Sequence, residues 1–212
     1  IGGGAFLDVI GLASATAHRG IRLVRFPTTS LAQDDSGVGV KNGINAYGKK
    51  NFLGSFAVPY AVVNDFSFLS GLPETECRAG LVEAVKVALV KDASLFHWIE
   101  DNIDKLSALE DHALEEVVER SALLHASHIA YGGDPYETGS SRPLDFGHWA
   151  AHKMEQLTDF ALSHADAVGV GVALDTIYSW KTGRLEESSA MRILNVLAKL
   201  KLPLWHEALE QQ

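Results

Sequence analysis

The chain has little sulfur and few ring breakers: one cysteine (Cys77), two methionines and six prolines in 212 residues, with 8% aromatics. A lone thiol forms no internal disulfide, which excludes a disulfide-stapled scaffold and fits a reducing, cytoplasmic setting. Long apolar runs are missing. None reaches the roughly 18 residues that a membrane-spanning helix needs, and no basic segment followed by an apolar one opens the chain as a signal peptide would. Positive charge is also scarce: 18 Lys and Arg against 27 Asp and Glu give a formal net charge of -9. With no basic stripe to offset phosphate repulsion, nucleic acid is not expected as a partner, and neither is a membrane.

The hydrophobic content of 47% is enough to bury one large domain or two modest ones. No internal repeat, low-complexity tract or flexible linker interrupts it. Ile1-Gly-Gly-Gly4 reads as the end of a buried strand entering a glycine turn, so the opening strands of an α/β domain are expected to be missing. Residues 5–17 place Phe6, Leu7, Val9, Ile10 and Ala13 at helical spacing. Free N–H groups where a glycine turn enters a helix attract anions, although this triplet lacks the full dinucleotide fingerprint. Residues 21–26 alternate apolar and basic side chains and end at Pro27-Thr28-Thr29, as a strand delivering two hydroxyls to its carboxyl end. Residues 30–52 show no clean period and are expected to form a long irregular loop carrying Asp35, Lys41, Lys50 and Asn51.

A short strand is expected at 60–63, and from Pro73 the chain turns helical and stays so. Leu81, Val85, Ala88 and Leu89 mark the buried face of the first long helix. Glu83 and Lys86 lie beside that face, as a surface ion pair or as a carboxylate ligand with a neighbouring anion-binding amine. Further helices are expected at about 93–102, 113–131, 147–159, 165–182 and 187–199, with a polar loop at 132–142. The fold class is therefore α/β then all-α: residues 1–70 as the back part of an α/β domain, residues 71–212 as a helical domain, and a ligand cleft between them.

His148 and His152 sit four residues apart, which stacks both rings on one helix face, and His164 opens the next helix. Three neutral imidazoles could converge on one cation such as zinc if those helices pack. One of the pair could equally contact substrate while the other binds metal.

Read together, the blocks Gly2-Gly-Gly-Ala-Phe-Leu-Asp8, His18-Arg-Gly20, Pro27-Thr-Thr-Ser-Leu-Ala-Gln33, Asp35 to Lys41, Gly43-Ile-Asn45, Lys50-Asn51, Leu72-Pro73, Gly80 to Lys86, Phe146-Gly-His148, His152 and His164-Ala-Asp-Ala-Val168 resemble the dehydroquinate synthase family of sugar-phosphate cyclases, in order along nearly the whole chain. The resemblance implies the C-terminal part of an NAD-binding Rossmann-like domain followed by a helical metal-binding domain. It implies zinc, or another divalent ion such as cobalt, on Glu83, His148 and His164, with His152 facing a phosphate. NAD is implied at Gly3, Gly4, Asp8, Thr28 and Thr29. Lys86, His152, Asp35 and Asp145 are implied as catalytic residues, and Lys41, Lys50, Asn51, Arg19 and Arg142 as substrate contacts. Arg19 matches an arginine that reaches a neighbouring subunit's site, implying a homodimer. The implied reaction removes phosphate from a small seven-carbon sugar phosphate and closes a carbocycle, NAD being regenerated within the cycle.

Several positions depart from the dehydroquinate synthases. An arginine and a lysine that hold a substrate carboxylate there fall on Ser141 and Ser127, and an asparagine falls on Asp145. A carboxylate beside an anion adds repulsion. A carboxylate-free substrate such as sedoheptulose 7-phosphate is therefore expected. The rivals are a metal-dependent NAD polyol dehydrogenase and a cyclase-like binding protein without activity.

Overall fold

The computed structural model describes residues 1–133, 135–136 and 143–210. Arg142 and Ser141 lie outside the described residues. The first part contains helix α1 (Gly4–Thr16) and the strands β1 (Val24–Arg25), β2 (Lys41–Ala46), β3 (Lys49–Phe56) and β4 (Ala61–Val62). β1 pairs in parallel with β4, and Gly2 bridges Pro27, also in parallel. Gly2 N–H donates to Phe26 O at 3.1 Å and Thr28 N–H to Gly2 O at 3.0 Å. The chain therefore leaves one parallel strand end at the glycine turn and another at Pro27–Thr29, with α1 as the crossover between them.

The expected strand at 21–26 is paired only at its end. The expected irregular loop is a correction: residues 41–56 are an antiparallel hairpin, with Lys41 opposite Phe56 and Gly43 opposite Gly54. Its alternation is hidden by polar residues on both faces and by a register shift between Ile44 and Ala46. Tyr47 and Gly48 both take positive φ, 54° and 68°, the turn geometry that matches strand twist. Arg25, 1% exposed, fastens β1 to this hairpin by donating to Gly37 O at 3.0 Å, Gly39 O at 2.7 Å and Asn42 Oδ1.

The second part is helical: α2 (Glu74–Lys91), α3 (Ala93–Asp101), α4 (Ile103–Ser107), α5 (Asp111–Tyr131), α6 (His148–Leu157), α7 (His164–Lys181) and α8 (Glu187–Lys199). α2 is its axis. Every residue from Cys77 to Ala88 is buried, because α3, α5 and α7 pack around it and the segment at 32–36 closes the remaining side. Ser30 ties the two parts together: its hydroxyl donates to Glu76 O at 2.5 Å and accepts from Gly80 N–H at 2.9 Å.

α6 and α7 approach unusually closely. Gly147, with φ 78°, ends the preceding turn, and a Cβ on Gly171 would lie 1.9 Å from Gly147 O. Asp175 on α7 accepts from Gly147 N–H at 2.8 Å, placing a carboxylate at the positive end of α6. Ser163 caps α7, accepting from Asp166 N–H at 3.1 Å, and so sets His164 at the first helical position. The Gly171→Ala substitution is expected to push these helices apart and cost about 1–3 kcal/mol. Chemical denaturation measures this; a loss below about 0.5 kcal/mol would mean that the helices re-space freely.

Candidate metal and cofactor site

A cavity of about 750 Å³ opens between the parallel strand ends, the hairpin and the helices. On one wall Gly3 and Gly4 present the start of α1, with Asp8 one turn on; Thr29 lies against Gly3, its Cγ2 3.3 Å from where a Cβ would stand. Thr28 is half-buried and does not line the cavity, and neither does the exposed Arg19. The hairpin contributes Lys41, Lys50 and Asn51, the last at φ 49° beside the irregular register. Asp35 reaches the cavity from a π-helical turn at Ala32–Ser36, a local distortion of the kind often found at sites. Asp145 lines the mouth, 4.0 Å from Lys41 Nζ.

Lys86 of α2 lines the floor, and Glu83 lies fully buried behind it. Glu83 and Lys86 are not a surface pair: their side chains are 0% and 2% exposed and in direct ion-pair contact. Removing two charges from water costs several kcal/mol each unless both are compensated, so this pair must be enclosed with its partners. Burial alone would neutralise Lys86, but Glu83 and Asp35 outweigh it and hold its pKa above the ordinary value. Burial likewise opposes the charge on Asp35; Lys86, then His125 with Nδ1 3.2 Å away, overcome it and keep the carboxyl well below its usual range. Neighbouring Asp34 behaves oppositely. It is 0% exposed, neither oxygen has a hydrogen-bond partner, and burial pushes its pKa well up, favouring the protonated form.

His148, His152 and His164 close over this floor, with ring centroids 5.3 to 5.9 Å apart. Ligand atoms of Glu83, His148 and His164 lie within 4.8 Å of one another, and His148 Nε2 is 3.6 Å from Glu83 Oε1. His148 Nδ1 is engaged by Phe146 O at 3.2 Å, which leaves Nε2 as the lone-pair nitrogen. Burial lowers the His148 pKa, favouring the neutral ring that binds metals. Glu83 Oε1 is buried without a hydrogen bond, an orphan acceptor beside two imidazoles. This donor set of one oxygen and two nitrogens fits a divalent ion with coordination positions left open. His152 is the exposed ring of the trio; partial desolvation, then Lys50, push it down to about 4, so it too is neutral.

Two functional positions were not among the expected ones. Glu155, 2% exposed, sits under His164 and pairs with Lys50. From α5 it is His125, with Ile129 one turn on, that lines the cavity, not Ser127: His125 is buried, whereas Ser127, two residues later, is exposed. Both signals were in the sequence as helical spacing, Glu155 three residues after His152 and His125 four after Ser121, but neither could be assigned a face without the neighbouring helices.

A parallel-stranded edge with a glycine turn thus faces helices that bring Glu83, His148 and His164 together beside a cavity. Comparison with known proteins narrows the class. Residues 1–79 match the family model described as 3-dehydroquinate synthase N-terminal, and residues 80–212 the one described as 3-dehydroquinate synthase C-terminal. The chain belongs to the 3-dehydroquinate synthase family. It is 38% identical over 205 residues to 3-dehydroquinate synthase of Aliivibrio fischeri (strain MJ11), covering 96% of this chain and 56% of that protein. The chain thus spans about half the length of the curated relatives it matches. Among solved structures, ValA, a 2-epi-5-epi-valiolone synthase from Streptomyces hygroscopicus subsp. jinggangensis 5008 with NAD+ and Zn2+ bound, superposes with a TM-score of 0.91 at 33% identity, over 98% of this chain and 57% of that one. A 2-deoxy-scyllo-inosose synthase complexed with carbaglucose-6-phosphate, NAD+ and Co2+ gives 0.84 at 26% identity, over 100% and 56%.

Asp8 offers a test of the cavity wall. Burial, opposed by Arg25 and reinforced by Asp35, raises its pKa from 3.8 to about 6. The folded state then holds this proton more tightly than the unfolded chain. The associated stability is complete below about pH 3.8 and is lost as pH rises through about 6. In the ligand-free protein, Asp8→Asn is expected to raise the melting temperature relative to the parent by a few degrees more at pH 8 than at pH 4, reflecting roughly 1–3 kcal/mol. A pH-independent difference would show that Asp8 is not held in this state.

Proposed function

We propose that the chain carries the active centre of a sugar-phosphate cyclase, a carbon–oxygen lyase acting on phosphates, which uses NAD and a divalent ion, zinc or cobalt. Convergence of buried Glu83 with His148 and His164, the two imidazoles lining a cavity that the Gly3–Gly4 turn also lines, supports this reading above all else. Residues 1–70 serve as the NAD-binding part and residues 71–212 as the metal- and substrate-binding part. When bound, the ion supplies Lewis-acid polarisation of a substrate hydroxyl and NAD supplies reversible hydride exchange.

The chain's own residues divide the remaining work. The backbone N–H groups at the start of α1 hold a pyrophosphate, with Asp8 and Thr29 orienting the rest of the dinucleotide. Glu83 and the Nε2 atoms of His148 and His164 hold the ion. Lys86, kept charged by Glu83 and Asp35, donates to substrate oxygen beside it, and ionised Asp35 accepts from a hydroxyl. Lys41, Lys50 and Asn51 face the phosphate from the hairpin; neutral His152 adds a hydrogen bond from the helical side. Arg142 completes the substrate contacts. Arg19 serves the site of a second copy in a homodimer. A cytoplasmic setting accords with the single, buried Cys77.

The preferred substrate is a carboxylate-free seven-carbon sugar phosphate such as sedoheptulose 7-phosphate. Each lysine at the cavity already faces a carboxylate: Lys41 with Asp145 at 4.0 Å, Lys50 with Glu155 at 2.5 Å, and Lys86 with Glu83. On α5, His125 is turned to a carboxylate of the protein, its Nδ1 3.2 Å from Asp35 Oδ1, rather than left over for a second substrate anion. A substrate carboxylate left without an ionic partner loses about 3 kcal/mol, or roughly a hundredfold in rate at low concentration.

Phosphate release by the full-length protein, supplied with NAD and zinc or cobalt, is expected to be at least about tenfold faster from sedoheptulose 7-phosphate than from the acidic seven-carbon substrate of dehydroquinate synthase. The reverse preference would make it a dehydroquinate synthase. NADH accumulating without phosphate release would make it a polyol dehydrogenase, and absence of both metal and turnover a binding protein. Glu83→Gln, His148→Ala and His164→Ala should each lower phosphate release by more than about a hundredfold, beyond the 10–100-fold typical of an outer-shell change. Metal content of each variant, measured by elemental analysis, should fall in parallel.

A further inference from the structure

Glu155 belongs to none of the ligand or substrate sets above, yet it is the most heavily engaged buried carboxylate at the site. Both of its oxygens accept from Lys50 Nζ, at 2.7 and 2.5 Å, and Oε1 lies 2.6 Å from His164 Nδ1. Lys50 Nζ also stands 2.9 Å from Nδ1, but it already donates to both Glu155 oxygens, and a carboxylate can only accept, so the shorter contact takes its proton from Nδ1. That fixes the tautomer of His164 and leaves Nε2 as its ligand nitrogen. The same carboxylate holds Lys50, and through it joins β3 of the first part to α6 and α7 of the second.

We infer that Glu155 is the positioning residue of the metal centre, orienting His164 through Nδ1 and linking that ligand to the substrate-side Lys50. The inference rests on the metal reading of Glu83, His148 and His164. A rival arrangement exists, because ligand atoms of His152, Glu155 and His164 also lie within 4.8 Å of one another. Hydrogen bonding decides between them: the Glu155 oxygens are already occupied by Lys50 and His164, whereas Glu83 Oε1 is buried with no hydrogen bond. A carboxylate that is already saturated orients a ligand; an orphan one binds the ion.

The test uses the full-length protein, with zinc affinity measured by competition against a chromophoric chelator and the visible spectrum recorded after cobalt loading. Glu155→Gln is expected to weaken zinc binding about 10–100-fold and shift the cobalt bands, with the thermal midpoint little changed. Because this change leaves Lys50 without its partner, the double variant Lys50→Met with Glu155→Gln guards against misfolding; it removes the stranded charge and should show the same weakened affinity and shifted bands. A double variant that binds zinc as the parent does, with the parental cobalt spectrum, overturns the inference. So does loss of all metal in Glu155→Gln combined with retention in His148→Ala, which would make Glu155 a ligand. A parent that binds no metal at all would overturn the proposed function together with this inference, which separates the two failures.

Discussion

The burial of Glu83 and Lys86 within α2 is the constraint on which the rest of the architecture depends. Two opposite charges with 0% and 2% of their side chains exposed are tolerable only where each is neutralised and fixed. The surrounding structure meets that requirement. α2 is enclosed along the whole run from Cys77 to Ala88, Asp35 is brought against Lys86 by a π-helical turn, and two imidazoles cover the remaining oxygen of Glu83. A carboxylate desolvated in this way is poorly satisfied by protein donors, which leaves it suited to a cation.

The second structural requirement is the spacing of α6 and α7. His148 begins one helix and His164 begins the other, so their distance is set by how closely the two backbones approach. Gly147 and Gly171 remove the side chains that would hold the helices apart, and the Asp175 carboxylate fastens the turn to α7. Local capping at Ser163 then fixes where along α7 the imidazole sits. Dense packing makes such placement stiff, which is what a preorganised ligand set needs.

The electrostatics of the cavity are those of paired charges. Lysines line it, but carboxylates stand beside them, and His148 and His152 are held toward their neutral forms by desolvation. A site so balanced carries little surplus positive potential despite its cations, in keeping with the chain's net charge of -9. Its walls differ in local geometry, with the start of α1 on one side and the hairpin lysines on the other.

The sequence by itself determined the order of elements, the long helices and the residue types offered to a metal. Helical periodicity is a local property, so α1, α5 and α8 were legible within a few residues, and the spacing of His148, His152 and His164 announced a cluster. Ordered family blocks singled out Glu83, His148 and His164 before any distance was known. What only the tertiary structure decided were the properties that depend on neighbours distant in the chain. The hairpin at 41–56 looked irregular because its alternation is broken by polar residues and a register shift, and cross-strand pairing is not a local signal. Glu83 and Lys86 resembled a surface pair because a helix face does not reveal what will cover it. The contacts of Glu155 reach 105 positions back in the chain to Lys50 and nine forward to His164, and His125 rather than Ser127 met Asp35 because α5 packs at one particular rotation. Side-chain identity is written in the chain, but the face each helix turns inward is settled by the packing of all the others.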